Sequence, residues 1–144
     1  MVPFTLDIPV RFQHCDPAGL VFYPRYFEML NQVVEDWFAE ALDASFRRLH
    51  GTEGRGVPAV HLEADFLRPS RLGDVLRFAL TVHDIGCSSV TLAVVAGCGA
   101  EERLRASVVL AYVALDRMRA ERIPKDLRAA MAPYADPGVI EGRR

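Results

Sequence analysis

Pro24-Arg25-Tyr26-Phe27-Glu28-Met29-Leu30-Asn31-Gln32-Val33-Val34-Glu35-Asp36-Trp37-Phe38-Ala39-Glu40-Ala41-Leu42 is the stretch on which the fold turns. Phe27, Leu30, Val33, Val34, Trp37, Phe38 and Ala41 recur at intervals of three and four, which gathers them into one broad apolar face of a helix. Glu28, Asn31, Gln32, Glu35, Asp36 and Glu40 fill most of the opposite side. Pro24 suits the first helical position, where its missing N–H costs nothing and its φ is already helical. The spacing therefore predicts a helix from about 24 to about 42 that must bury one side against something apolar.

That partner is sought on either side. Upstream, Leu6, Ile8, Val10 and Phe12 alternate with Thr5, Asp7, Pro9 and Arg11, the period of a half-buried strand, and Pro9 confines it to an edge or marks a bulge. Asp16-Pro17-Ala18-Gly19 then combines a fixed φ with a residue that tolerates positive φ, so the strand gives way to a turn. Downstream, Gly51 to Gly56 reads as a flexible connector. Four strands are predicted beyond it. Ala59 to Leu67 sets Val60, Leu62, Ala64 and Phe66 against His61, Glu63 and Asp65; Val75 to Ile85, Ser89 to Ala96 and Leu104 to Leu115 are rich in Val, Leu and Thr. A short helix from Pro124 to about Met131 follows. Strand, long helix and four strands imply an α+β protein, an antiparallel sheet with one face covered by the helix. Such a sheet has open edges, and pairing across a twofold axis covers one of them, so a homodimer is expected.

The 144 residues fit a single domain spanning 1–144, large enough to bury roughly 70% of its unfolded surface. Hydrophobic residues at 51% and charged residues at 25% are ordinary globular usage, which argues against disorder. Seventeen basic against nineteen acidic residues, a net charge of -2, lack the basic footprint of a nucleic-acid binder. Charges interrupt every apolar run short of the ~20 residues that span a bilayer, and Met1-Val2-Pro3-Phe4 has no signal-peptide pattern, so a cytoplasmic protein is expected. Cys15, Cys87 and Cys98 are odd in number and widely spaced, which suggests reduced thiols rather than a disulfide framework or a metal knuckle.

Chemistry concentrates before the helix. Asp16 can act as a nucleophile or a general base, or it can simply shape the turn by capping its own backbone. The first turn of the helix offers unpaired N–H groups with partial positive charge, which makes the Tyr23 amide, just ahead of Pro24, a donor for a developing oxyanion. If the strand persists, His14 shares a face with Asp16 and could orient or tune it; otherwise it is a solvent-facing strand end. Cys15 adjoins the site but lacks a visible activating base. His14, Asp16 and His61 have no recognisable metal-ligand spacing, so no metal is expected.

The segment Arg11-Phe12-Gln13-His14-Cys15-Asp16-Pro17-Ala18-Gly19-Leu20-Val21-Phe22-Tyr23-Pro24-Arg25-Tyr26-Phe27 resembles the active-site signature of the 4-hydroxybenzoyl-CoA thioesterase family. Asp65-Phe66-Leu67-Arg68-Pro69 with Gly73-Asp74 is similar to that family's second motif, and the resemblance runs from about Phe4 to Asp116. It implies the hotdog fold, a curved antiparallel sheet wrapped around one central helix, with two subunits forming shared sites as a homodimer or a dimer of dimers. It also implies hydrolysis of an acyl-CoA thioester, aromatic or short-chain, with Asp16 acting on the carbonyl, the helix start near Tyr23 holding the oxyanion, and Gly19 supporting the loop. No cofactor is implied, since CoA is part of the substrate. Phe22 and Tyr26 are candidates to line the acyl pocket, with a core role as the alternative; His61 could reach the site from the second strand or rest at an interface.

Arg68 and Arg71 are candidates for the CoA phosphates, because a guanidinium matches phosphate geometry. The family's namesake carries a basic cluster at the turn before its fourth strand, whereas this chain has Gly86-Cys87-Ser88-Ser89, so the nucleotide must be held differently or more weakly. Two other functions fit the same fold. A hydratase or dehydratase would use His14 and Asp16 as an acid–base pair, and a non-catalytic acyl-thioester binder would use neither.

Overall fold

The periodic stretch does form the axis of the computed structural model, which describes residues 1–135; the remainder of the expected 1–144 domain lies outside them. Helix α1 runs Tyr23–Asp36 and continues through a widened π turn, Trp37–Ala41. Pro24 stands second rather than first, because Phe22 in extended conformation caps the helix. The buried stripe is Tyr26, Met29, Leu30, Val33, Val34, Trp37 and Phe38. It is rotated slightly from the predicted face: Phe27 is only half-buried, its ring 6.0 Å from that of Phe66.

Around this helix the chain lays β1 (Phe4–Pro9), β2 (Arg55–Gly56), β3 (Ala59–Phe66), β4 (Val75–Ile85), β5 (Ser89–Cys98), β6 (Glu101–Ala111), β7 (Val113–Ala114) and β8 (Arg119–Ala120), with α2 (Lys125–Met131) last. The main sheet is antiparallel in the order β1-β4-β5-β6-β3. Its concave face is built by strict alternation: Leu76, Phe78, Leu80 and Val82 from β4, Val90, Leu92, Val94 and Ala96 from β5, and Leu104, Ala106, Val108 and Leu110 from β6 are all buried with the helix stripe in one core. A bulge between Val82 and Asp84 shifts the register by one residue, so that Ile85 still faces inward. This is the hotdog arrangement, a curved antiparallel sheet closed on one long helix.

Four predicted elements differ. The first strand ends at Pro9 instead of Phe12; Phe12–His14 form a 3₁₀ turn, and Phe12 is 82% exposed rather than inward-facing. The Gly51–Gly56 connector is more ordered than its glycines suggested, since a π-helical turn occupies Arg47–Thr52 and β2 follows. The last predicted strand divides, its end peeling off as β7 into a small β2-β7-β8 sheet. In β3, Val60, Leu62 and Phe66 are apolar as expected yet 62%, 39% and 47% exposed. β3 is an edge strand paired only with β6, so among the described residues nothing covers its alternating face. Among the described residues no helix is long and apolar enough to cross a membrane.

Candidate active site

The Asp16 loop is a small hairpin. Asp16 N–H donates to Leu20 O at 2.9 Å, Cys15 and Val21 bridge, and Phe22 N–H donates to His14 O at 2.9 Å. The turn closes through Gly19, whose N–H reaches Asp16 O at 3.0 Å and whose φ of 79° is a conformation that a side chain would strain. One carboxylate oxygen, Oδ1, accepts the N–H groups of Ala18 (2.9 Å) and Leu20 (3.2 Å). This is the Asx turn expected of an Asp-Pro sequence, but it uses only one oxygen. Oδ2 has no hydrogen bond among the described residues, and Asp16 lines a cleft of about 430 Å³ with Phe12, Cys15, Pro17, Gly19 and Leu72.

His14 does not share a strand face with Asp16, because the strand has already ended. Its ring is buried, and Nδ1 accepts the Arg11 N–H at 2.8 Å, which places the proton of the neutral imidazole on Nε2. Burial, ahead of nearby charges, pushes its pKa below the usual histidine value. Among the described residues the His14 ring is hydrogen-bonded to the loop backbone and not to Asp16. Cys15 is a half-buried free thiol directed at Arg11 O.

Tyr23 opens the helix, and among the described residues its N–H has no backbone acceptor, as expected of a first-turn amide. Its ring stands edge-on to Phe22 (5.5 Å) and Phe66 (6.0 Å) and lines a second cleft of about 280 Å³ with Val21, Tyr26, Phe66, Leu67 and Arg68. Phe22 is exposed and does not line either cleft. Tyr26 is only 4% exposed; its hydroxyl donates to Ser70 Oγ at 2.9 Å and its ring tilts against Phe66, so it belongs to the core while forming the floor of this cleft. Asp16 lines the first cleft and Tyr23 the second, and no residue lines both.

The second sequence motif locks onto the first. Val21 N–H donates to Ser70 O (2.9 Å), Leu72 N–H to Gly19 O (3.0 Å), Gly73 N–H to Val10 O (3.1 Å) and Val10 N–H to Asp74 O (2.7 Å). What sequence reasoning missed is the cation behind this turn. Arg103 of β6 is 12% exposed, and its Nη1 reaches Pro69 O (3.0 Å), Ser70 Oγ (3.2 Å) and Asp74 Oδ2 (2.8 Å), while Nε lies 2.7 Å from the Glu101 carboxylate. The Arg103 hydrogen bond, the largest influence, holds the Asp74 carboxyl below the usual range.

Of the remaining candidates, His61 lines neither cleft, while Arg68 borders the Tyr23 cleft. His61 is exposed on β3, its Nε2 2.9 Å from Glu63. Arg68 is exposed with Nε 3.7 Å from Glu101, and Arg71 is exposed beside Leu20, with which it forms a bridge. Among the described residues, His14, Asp16 and His61 do not gather into a group able to hold a metal.

An antiparallel sheet closed on a single helix, with a carboxylate loop that pairs with the capping residue of that helix, defines a hotdog-fold protein. The chain belongs to the Thioesterase-like superfamily, which matches residues 10–131. It is 26% identical over 121 residues to a 1,4-dihydroxy-2-naphthoyl-CoA hydrolase of Acaryochloris marina, covering 82% of this chain and 88% of that one. A 4-hydroxybenzoyl-CoA thioesterase of Pseudomonas sp. strain CBS-3 is 27% identical over 81 residues, covering 56% of this chain and 57% of that one. Among solved structures, Slr0204, a 1,4-dihydroxy-2-naphthoyl-CoA thioesterase from Synechocystis, shares the fold with a TM-score of 0.83 at 22% identity, covering 90% of this chain and 96% of that one. The BH1999 gentisyl-coenzyme A thioesterase does so with a TM-score of 0.81 at 20% identity, covering 89% and 99%.

Proposed function

We propose that this protein hydrolyses an acyl-CoA thioester bearing an aromatic acyl group, with Asp16 as the acid that drives the chemistry. The observation that carries the reading is the Asp16 carboxylate: two backbone amides fix Oδ1, while among the described residues Oδ2 accepts no hydrogen bond, Asp16 lines a cleft, and the first N–H of the helix that follows has no backbone acceptor. A thioester carbonyl needs both a nucleophilic push and a donor for the oxygen that becomes negative. Asp16 supplies the first, either by attacking the carbonyl carbon to expel the CoA thiolate or by taking a proton from the attacking water. The Tyr23 N–H supplies the second, with the helix dipole behind it. Neither route needs a cofactor.

The relatives named for hydroxybenzoyl and dihydroxynaphthoyl thioesters support an aromatic acyl group, as does the Tyr23–Tyr26–Phe66 surface beside the helix start. In this reading a second copy, packed on the exposed face of β3, closes both clefts into one site and makes the protein a homodimer or a dimer of dimers. Arg68 and Arg71 meet the CoA phosphates at the rim.

Phe66→Ala tests the acyl preference. Aromatic contacts contribute about 0.5–1.5 kcal/mol beyond their area, or up to about tenfold in rate. The variant should lose about tenfold in kcat/KM for benzoyl-CoA relative to butanoyl-CoA, measured by thiol release with a chromogenic reagent. An unchanged ratio would assign the acyl group elsewhere.

A further inference from the structure

We infer that Arg103 is a positioning residue for thioester hydrolysis, holding the Asp16 loop and the start of α1 in mutual register through Ser70. This rests on the reading of Asp16 and the Tyr23 amide as the reacting groups. Ser70 is 1% exposed, and two different parts of it face the two halves of the site. Its carbonyl accepts Val21 N–H, on the returning arm of the Asp16 hairpin, and its hydroxyl oxygen accepts Tyr26 O–H, from the first turn of α1. Leu72, two residues on, ties Gly19 to the same turn.

Backbone bonds tie the turn to the hairpin, but its own exposed side chains, Arg68, Arg71 and Leu72, add little, and Gly73 stands at a φ of 95°. Arg103 supplies the side-chain anchor from β6, with one guanidinium nitrogen near Pro69 O, Ser70 Oγ and Asp74 Oδ2 together. Asp74 in turn accepts the Arg71 N–H at 2.9 Å, which completes the turn from inside. Three acceptors around one largely buried nitrogen hold Pro69, Ser70 and Asp74 to a single point, which an exposed pair does not do. The Arg77–Asp7 pair between β1 and β4 is of the exposed kind, with both side chains about half or more accessible.

A carboxylate and an oxyanion donor on separate elements cooperate only when their separation is fixed, and an error of about 1 Å can cost on the order of 10²-fold. Arg103 touches neither group, so its loss should act on their relative placement. Two variants test this. Arg103→Gln removes the anchor, and Tyr26→Phe removes a single oxygen from the same relay while keeping the ring in the core; Arg77→Gln is the control for loss of an ordinary surface ion pair.

Hydrogen exchange followed by mass spectrometry should show at least tenfold faster exchange of amides in residues 15–22 in both variants, with amides of α2 unchanged and Arg77→Gln like wild type. On a thioester that the wild type hydrolyses, kcat should fall about 10- to 100-fold in Arg103→Gln with KM within about threefold, and Arg103→Lys should restore only part of it. Unchanged exchange in residues 15–22 overturns the inference whatever the activity. Faster exchange with wild-type kcat also overturns it. Variants that exchange as described, together with a wild type that hydrolyses no thioester, overturn the functional reading while leaving the Ser70 relay standing.

Discussion

Asp16→Asn is expected to lower kcat by about 10²–10⁴, the usual scale for removing a general base, while KM stays within a few-fold. The substitution is suited to the geometry. Asparagine keeps an oxygen in the Oδ1 position, so the bonds from Ala18 and Leu20 that shape the loop survive. It replaces the free oxygen with an amide that can neither attack a carbonyl nor accept a proton from water. A residue whose role is confined to the transition state lowers kcat without weakening substrate binding. If Asp16 only shapes its turn, the asparagine variant should remain within a few-fold of wild type, since Asn makes the same Asx turn. Thermal melting within about two degrees of wild type is the control that the loop has kept its structure.

Leu62→Arg is expected to convert the assembly to a monomer of about the chain mass, 16.0 kDa, and to reduce kcat/KM by on the order of 10². Leu62 sits near the middle of β3, between Val60 and Phe66, on a face that is exposed in the single chain. An arginine there is well solvated in the monomer, so the fold has no reason to fail. In a twofold interface the same substitution occurs on both copies, placing two unpaired cations in an apolar contact at a large desolvation cost. Light scattering at micromolar concentration reads the mass. A monomeric variant with full activity would show that one chain carries a complete site, and a wild type that is already monomeric and active would show the same.

The helix was legible because its period is local: Leu30, Val33, Val34, Trp37 and Phe38 lie within three turns, and all are buried. The same holds for β4, β5 and β6, where alternation coincides with burial on one face. β3 shows where that logic ends. Alternation shows which side chains share a face but not what covers that face: Val60, Leu62 and Phe66 alternate as a buried row would, yet they are exposed on this edge strand. Phe12 was misread for a related reason: the alternation of Leu6, Ile8 and Val10 continues through it, yet the chain leaves the sheet at Pro9 to begin the loop.

The candidate site was half legible. Asp16, Gly19 and the helix start are contiguous in sequence, so their turn and cap chemistry could be read directly. His14 was not, because its role depends on a ring nitrogen accepting the Arg11 amide once the strand has become a 3₁₀ turn. Arg103 was beyond reach: its acceptors lie 29 to 34 residues away, and β6 alternation places it on the same outward side as Arg105, which is exposed.

Hydrolysis of an acyl-CoA thioester is tested most plainly by product stoichiometry from benzoyl-CoA with purified protein. One free thiol and one benzoate are expected for each benzoyl-CoA consumed, with both products lost together in Asp16→Asn. Binding of benzoyl-CoA without thiol release, or turnover of crotonyl-CoA to a hydrated product that retains its thioester, would contradict it.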